Sequence, residues 1–194
     1  MLWKNDWPYA GEQVKAGTYA ILSERRGYSL ELAVDFVRMN VARQGWFNRD
    51  QMQQPVKPVA EQTLAQVQDS WPAGDIAVRC SDYMFRPWQK WQLEPTGKGT
   101  IAGPLFTIRI EGTNRALTAT DKLEVITKDF ANLDEQLWRV EQLTDGTYRI
   151  MPYVIPGQGK NQKYCLYSAG DSTPTLAEYD FKSDNSKWNL RLEK

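Results

Sequence analysis

Catalysis at neutral pH draws heavily on histidine, cysteine and paired carboxylates, and this chain is poor in the first two. It contains no histidine. That removes Ser-His-Asp and Cys-His nucleophiles and histidine-ligated metals in one step. Its two cysteines, Cys80 and Cys165, are too few for a disulfide framework or a four-thiolate zinc site. Carboxylates are plentiful, at 24 Asp and Glu, but no two stand out by spacing as an acid/base pair. No catalytic residue, metal or cofactor is assigned, and the expectation is a protein that is not an enzyme. Recognition chemistry remains. Eight tryptophans, nine tyrosines and six phenylalanines fill a large core, or in part face outward to stack on a ligand. Three acid–aromatic steps recur: Asp82-Tyr83, Asp129-Phe130 and Asp180-Phe181. Their simplest role is turn chemistry, with Asp in the turn and the ring in the core.

Charge narrows the partners. The 24 basic residues balance the 24 acidic ones, so no net field favours nucleic acid or an anionic membrane. No apolar run reaches the length of a membrane span, so membrane insertion is not expected. The opening "MLWKNDWPYAGEQVKAG" has no apolar stretch of the kind a signal peptide needs. The expected location is therefore cytoplasmic or unconventionally secreted.

The elements that position these groups are written in threes. Trp91, Trp138 and Trp188 stand 47 and 50 residues apart, in "QKW", "QLW" and "SKW". Aromatic-x-Ile recurs as Tyr19-Ala20-Ile21, Phe106-Thr107-Ile108 and Tyr148-Arg149-Ile150. Residues two apart on a strand share a face, so each pair points into one core. Leu30, Leu117 and Leu166 form a third register, and the acid–aromatic steps a fourth. An aliphatic, Val78, Val125 or Leu176, precedes each of those Asp residues by four. From Ile to Leu the spacings are 9, 9 and 16, which puts about seven extra residues in the third unit, near "VIPGQGKNQ". From Leu to Asp they are 52, 12 and 14, which puts about 40 extra residues, 35–74, in the first.

Each unit then reads as about four short strands between Gly, Asn, Asp and Pro turns. The expected fold is all-β: a single domain, 1–194, closed as a barrel with threefold internal pseudo-symmetry. Repeat one is 14–95 with the insertion 35–74, repeat two 100–142 and repeat three 143–194. Closure removes exposed sheet edges. Inside the insertion, "PVAEQTLAQVQDSWPAG" allows one amphipathic helix over 59–68. Trp46 and Phe47, also in the insertion, are expected to pack on the barrel.

Three near-equal units with Gln-x-Trp in strands resemble the ricin-B-like β-trefoil family, the R-type lectins. The likeness covers about residues 14–194 apart from the insertion, with Ser186 in place of the third Gln. It implies a β-trefoil and shallow sugar sites, with glycans or glycoconjugates as partners. In that family an Asp on the second strand accepts sugar hydroxyls, an aromatic on the next strand stacks on the sugar, and an Asn or Asp from the following loop completes the site. The Asp position falls on Glu31, Thr118 and Tyr167 here, so no unit keeps the Asp. Glu31 keeps a carboxylate, and unit three offers Tyr167, Tyr179, Asp184 and Asn185. These five are the candidate carbohydrate-binding residues. Gln89 and Gln136 are expected to bond backbone at the strand turns, and the three tryptophans to be core. Family members often carry a disulfide within one unit; Cys80 and Cys165 each lack that partner, so free buried thiols are expected.

"AGTYAI" and "KWNLRLE" also resemble mushroom β-trefoil protease inhibitors. That likeness implies a protease as the alternative partner, met by the 35–74 insertion or the loop 154–163, with Arg43, Arg49 or Lys160 as contact.

Overall fold

The aromatic of each aromatic-x-Ile pair lies directly across from a Gln-x-Trp or Ser-x-Trp tryptophan. Tyr19 pairs with Trp91, Phe106 with Trp138 and Tyr148 with Trp188. The computed structural model describes residues 9–34, 71, 73–169 and 173–194. Repeat one contributes β2 (Gly17–Ser23), β3 (Ser29–Leu32), β4 (Ile76–Ser81) and β5 (Trp91–Thr100). Repeat two contributes β6 (Gly103–Ile110), β7 (Arg115–Ala119), β8 (Val125–Asp129) and β9 (Trp138–Leu143). Repeat three contributes β10 (Tyr148–Pro152), β13 (Tyr164–Tyr167), β14 (Thr175–Glu178) and β15 (Trp188–Leu192). A 3-10 turn precedes each tryptophan, at Pro87–Gln89, Asp134–Gln136 and Asp184–Ser186. Three strands lie outside this plan. They are β1 (Tyr9–Gln13), which pairs with β9, and the short hairpin β11 (Val154–Ile155) with β12 (Gly159–Lys160). That hairpin holds the extra residues that the spacing assigns to unit three.

The first and last strands of the repeats close a ring. β2 pairs with β5, β5 with β6, β6 with β9, β9 with β10, β10 with β15, and β15 returns to β2, all antiparallel. The inner strands form three hairpins, β3–β4, β7–β8 and β13–β14. These join one another where Ile76 meets Thr127 and where Glu124 bridges Thr175. A ring leaves none of its six strands as a free edge. Trp91, Trp138 and Trp188 are fully buried in one core with Ile21, Ile108 and Ile150.

The polar anchors repeat as faithfully as the apolar ones. Each indole N–H donates to the carbonyl of the matching hairpin leucine: Trp91 to Leu30 (2.8 Å), Trp138 to Leu117 (2.9 Å) and Trp188 to Leu166 (2.9 Å). Gln89 and Gln136 are buried and bind backbone, as expected. The Gln89 amide oxygen accepts from the N–H of Met84 and Arg86, and its NH2 donates to the Asp82 carbonyl. Gln136 does the same with Ala131, Leu133 and Asp129. The helix expected over 59–68, Trp46, Phe47, Arg43 and Arg49 all lie outside the described residues. Among those described, no helix is long and apolar enough to cross a membrane.

One equivalent pair of residues departs from symmetry in chemistry rather than shape. Four residues before each glutamine the backbone turns left-handed, at Phe85 (φ 55°) and at Asn132 (φ 56°). Asn tolerates this region; a bulky ring does not. Phe85 is also 65% exposed, so little burial offsets the strain. Phe85→Asn is expected to raise the melting temperature by about 1–2 °C, from a net gain near ~0.5 kcal/mol. A drop in a thermal melt would show that the ring's contacts with Tyr83 and Arg191 outweigh the backbone.

Candidate functional site

In repeats one and two the residue after the hairpin leucine is tied inward to the glutamine of the 3-10 turn. The Gln89 NH2 donates to Glu31 Oε2 (2.8 Å), and the Gln136 NH2 reaches Thr118 Oγ1 (3.4 Å). In repeat three Ser186 replaces the glutamine and is too short to reach. Its hydroxyl is buried beside the Cys165 thiol. Tyr167 instead meets the residue before it: Asn185 Nδ2 donates to the Tyr167 hydroxyl (2.8 Å). The Asn185 Oδ1 accepts from Arg25 Nη1 (2.9 Å). The turn that carries Asn185 is fixed at both ends, since its N–H donates to Ser183 Oγ and its carbonyl accepts from the Ser168 N–H.

The result is a surface chain, Arg25–Asn185–Tyr167, across the seam where β15 returns to β2. Tyr167 and Asn185 are half-buried and Arg25 is exposed. Asp184 sits beside it with a 61% exposed side chain, 3.8 Å from the Lys187 ammonium. Lys187 binds Asp145 more closely, at 2.9 Å. Burial alone would raise the Asp145 carboxyl, but hydrogen bonds from Thr147 and Lys187 outweigh it and hold the group below the usual carboxylate range. The same bond raises the Lys187 ammonium. Arg25 escapes sequence reasoning because it lies 160 residues from Asn185 in a polar turn; only barrel closure brings the two together.

Two of the five expected residues lie elsewhere. Glu31 is fully buried, with one oxygen on Arg79 Nε (2.7 Å) and the other on Gln89. Arg79 is its directly opposed partner on β4, so the carboxylate is spent inside the fold. Tyr179 is not beside Tyr167. In the β13–β14 register Tyr167 faces Thr175, and Tyr179 lies four residues further along, roughly 13 Å away at strand spacing. The Arg149 guanidinium lies 4.8 Å from its ring centroid. Its hydroxyl is buried, and that burial raises its pKa.

Neither a protein-family model nor a curated protein sequence matches the chain. Solved structures do. ThreeFoil, a designed threefold-symmetric protein, superposes with a TM-score of 0.57 at 18% identity, over 92% of this chain and 99% of that one. The ricin B-like lectin of Macrolepiota procera, solved with lactose, gives 0.55 at 16%, over 94% and 100%. The β-trefoil lectin of the Vibrio vulnificus hemolysin/cytolysin, solved with N-acetyl-D-lactosamine, gives 0.57 at 14%, over 93% and 98%. The chain folds as a β-trefoil. The trefoil also occurs within glycosidases: the chain matches 31% of an exo-β-1,3-galactanase from Clostridium thermocellum.

Within this trefoil the other reactive groups are quiet. Both cysteines are free and buried, and burial pushes each thiol up to about 11, far from the thiolate range of a nucleophile. Among the described residues no group of three acids or cysteines is placed to hold a metal ion. Among the described residues nothing favours a protease partner. Lys160, the one described contact of that reading, holds its ammonium 5.9 Å from the Tyr153 ring centroid.

Proposed function

We propose that this β-trefoil is a non-enzymatic carbohydrate-binding protein whose site lies in the third repeat. The observation that carries the reading is the Arg25–Asn185–Tyr167 chain: an amide held by two partners, beside a half-exposed ring and an exposed carboxylate. Sugars need flat rings for their C–H faces and oriented donors and acceptors for their hydroxyls. Tyr167 supplies the ring, Asn185 and Arg25 the oriented polar groups, and Asp184 an acceptor at the rim. The lectins that share the fold carry lactose and N-acetyl-D-lactosamine, so galactosides are the first probes. Two buried, unpaired thiols also suit a reducing compartment, in keeping with a cytoplasmic or unconventionally secreted protein.

Binding is expected on an array of neutral glycans. Asn185→Ala should weaken it roughly tenfold, the loss of about 1.4 kcal/mol that one well-placed hydrogen-bonding group contributes. Tyr167→Ala should lose at least as much, and Glu31→Gln little, since Glu31 faces inward. Titration calorimetry measures all three. Unchanged affinity in Asn185→Ala, in a protein that still melts cooperatively, sinks the assignment.

A further inference from the structure

A second concave surface lies at the β11–β12 hairpin, which the threefold plan does not require. Loop residues from Ile155 through Tyr164 line an open pocket of about 230 Å3. That is below the roughly 300–1,000 Å3 typical of drug-sized sites and suits a single sugar ring. The hairpin turns through Gly157 (φ 79°) and Gly159 (φ 81°), conformations that side-chain-bearing residues resist.

Its wall is fixed by one buried amide. Asn161 is 8% exposed. Its NH2 donates to the carbonyls of Pro152 (2.9 Å) and Tyr164 (2.7 Å), and its Oδ1 accepts from the N–H of Lys163 and Tyr164. Its own N–H donates to the Tyr153 carbonyl, and its carbonyl accepts from Arg139 Nη2. With every polar group engaged, Asn161 holds the loop in shape and leaves recognition to its neighbours. Gln158 and Gln162 present exposed amides, and Tyr164 a half-buried ring. Lys163 is paired with Glu178. Lys160 has no carboxylate partner among the described residues, and Tyr153 positions its ammonium. Among the described residues the pocket therefore carries one cation that no acid neutralises, beside two amides and a ring.

We propose that this pocket is a separate site for an anionic sugar residue. The acidic group pairs with Lys160, hydroxyls bond the amides of Gln158 and Gln162, and the sugar's apolar face lies against the edge of Tyr164, since the Lys163 ammonium lies over that ring, 5.0 Å from its centroid. A carboxylate and a sulfate ester share this chemistry. The saccharide class rests on the function proposed above, but the two sites use different residues and fail separately.

Amide NMR titrations with methyl β-glucuronide, galactose 6-sulfate and the neutral methyl β-glucoside test the proposal. The two acidic sugars are expected to shift the signals of residues 158–164 and the glucoside to do so far less. The sugar that binds tighter identifies the acidic group. Lys160→Met should weaken the acidic sugars roughly three- to fivefold, the range of one exposed ion pair, and Asn185→Ala should leave them unchanged. Raising salt should weaken them as well. Equal binding of the glucoside, unchanged affinity in Lys160→Met, or no shift at 158–164 overturns the proposal. Loss of galactoside binding in Asn185→Ala alone tests only the other site.

Discussion

Glu141→Ala is expected to destabilise the protein by about 3–5 kcal/mol in urea denaturation, a large share of the roughly 5–15 kcal/mol that a domain has. Glu141 on β9 and Arg149 on β10 face each other in register, 5% and 4% exposed. Arg149 Nε donates to Glu141 Oε2, and Arg139 Nη1 stands 4.0 Å from the other oxygen. The Arg149 guanidinium also stacks on Tyr179. The two partners are not equivalent when the other is removed. A guanidinium cannot shed its proton in a protein, so without Glu141 a fixed charge stays buried between β10 and Tyr179. Without Arg149, Glu141 still has Arg139. Arg149→Met should therefore cost less than Glu141→Ala. The double variant Glu141→Leu/Arg149→Met should cost far less than the sum, with a coupling of at least ~2 kcal/mol. Equal single costs, or a cost under ~1 kcal/mol for Glu141→Ala, would show that water reaches the pair and that burial does not govern it.

The fold was legible because one geometric task is solved three times. A threefold axis places three tryptophans in equivalent surroundings, so Trp91, Trp138 and Trp188 recur with their pairing partners Tyr19, Phe106 and Tyr148 and their acceptors Leu30, Leu117 and Leu166. Each recurrence narrows the register of the others. The same logic exposed both insertions, which lengthen one unit and leave the others unchanged. The candidate site was only partly legible, because sites break the symmetry that makes the fold readable. Glu31 looked like a free acceptor. Its partner Arg79 lies 48 residues on, beyond the insertion, and no local spacing shows that the two oppose each other on neighbouring strands. Tyr179 looked like a platform because strand alternation gives no hint of Arg149, which arrives from another strand. Asn185 was read from a sequence pattern, but its anchor Arg25 comes from the opposite end of the chain.

Trp138→Ala should cost about 4–5 kcal/mol, and Trp91→Ala and Trp188→Ala should match it within ~1 kcal/mol. Each indole is completely buried, and truncating a buried tryptophan costs about 3–5 kcal/mol through lost contacts and the cavity left behind. Each removal also strips the indole donor from a buried carbonyl, at Leu117, Leu30 or Leu166, which adds ~1 kcal/mol or more at Leu117 and Leu166 and less at Leu30, where the Ser29 hydroxyl still donates. Trp→Phe separates the terms: most of the ring volume stays and the donor is lost, so the remaining cost of ~2 kcal/mol reports mainly the orphaned carbonyl. The equality across sites is the sharper test, because it depends on the wedges being energetically as well as geometrically alike. Repeat three is the place to look for a breach. Its turn lacks the glutamine clamp, and the 3-10 turn is held instead by Ser183, by the Ser168 N–H and by the surface bonds of Asn185 to Tyr167 and Arg25. If Trp188→Ala costs less than Trp91→Ala by more than ~1 kcal/mol, the third wedge relaxes around its cavity. Ser186 in place of a glutamine would then also have loosened the core beneath the site proposed at Tyr167 and Asn185.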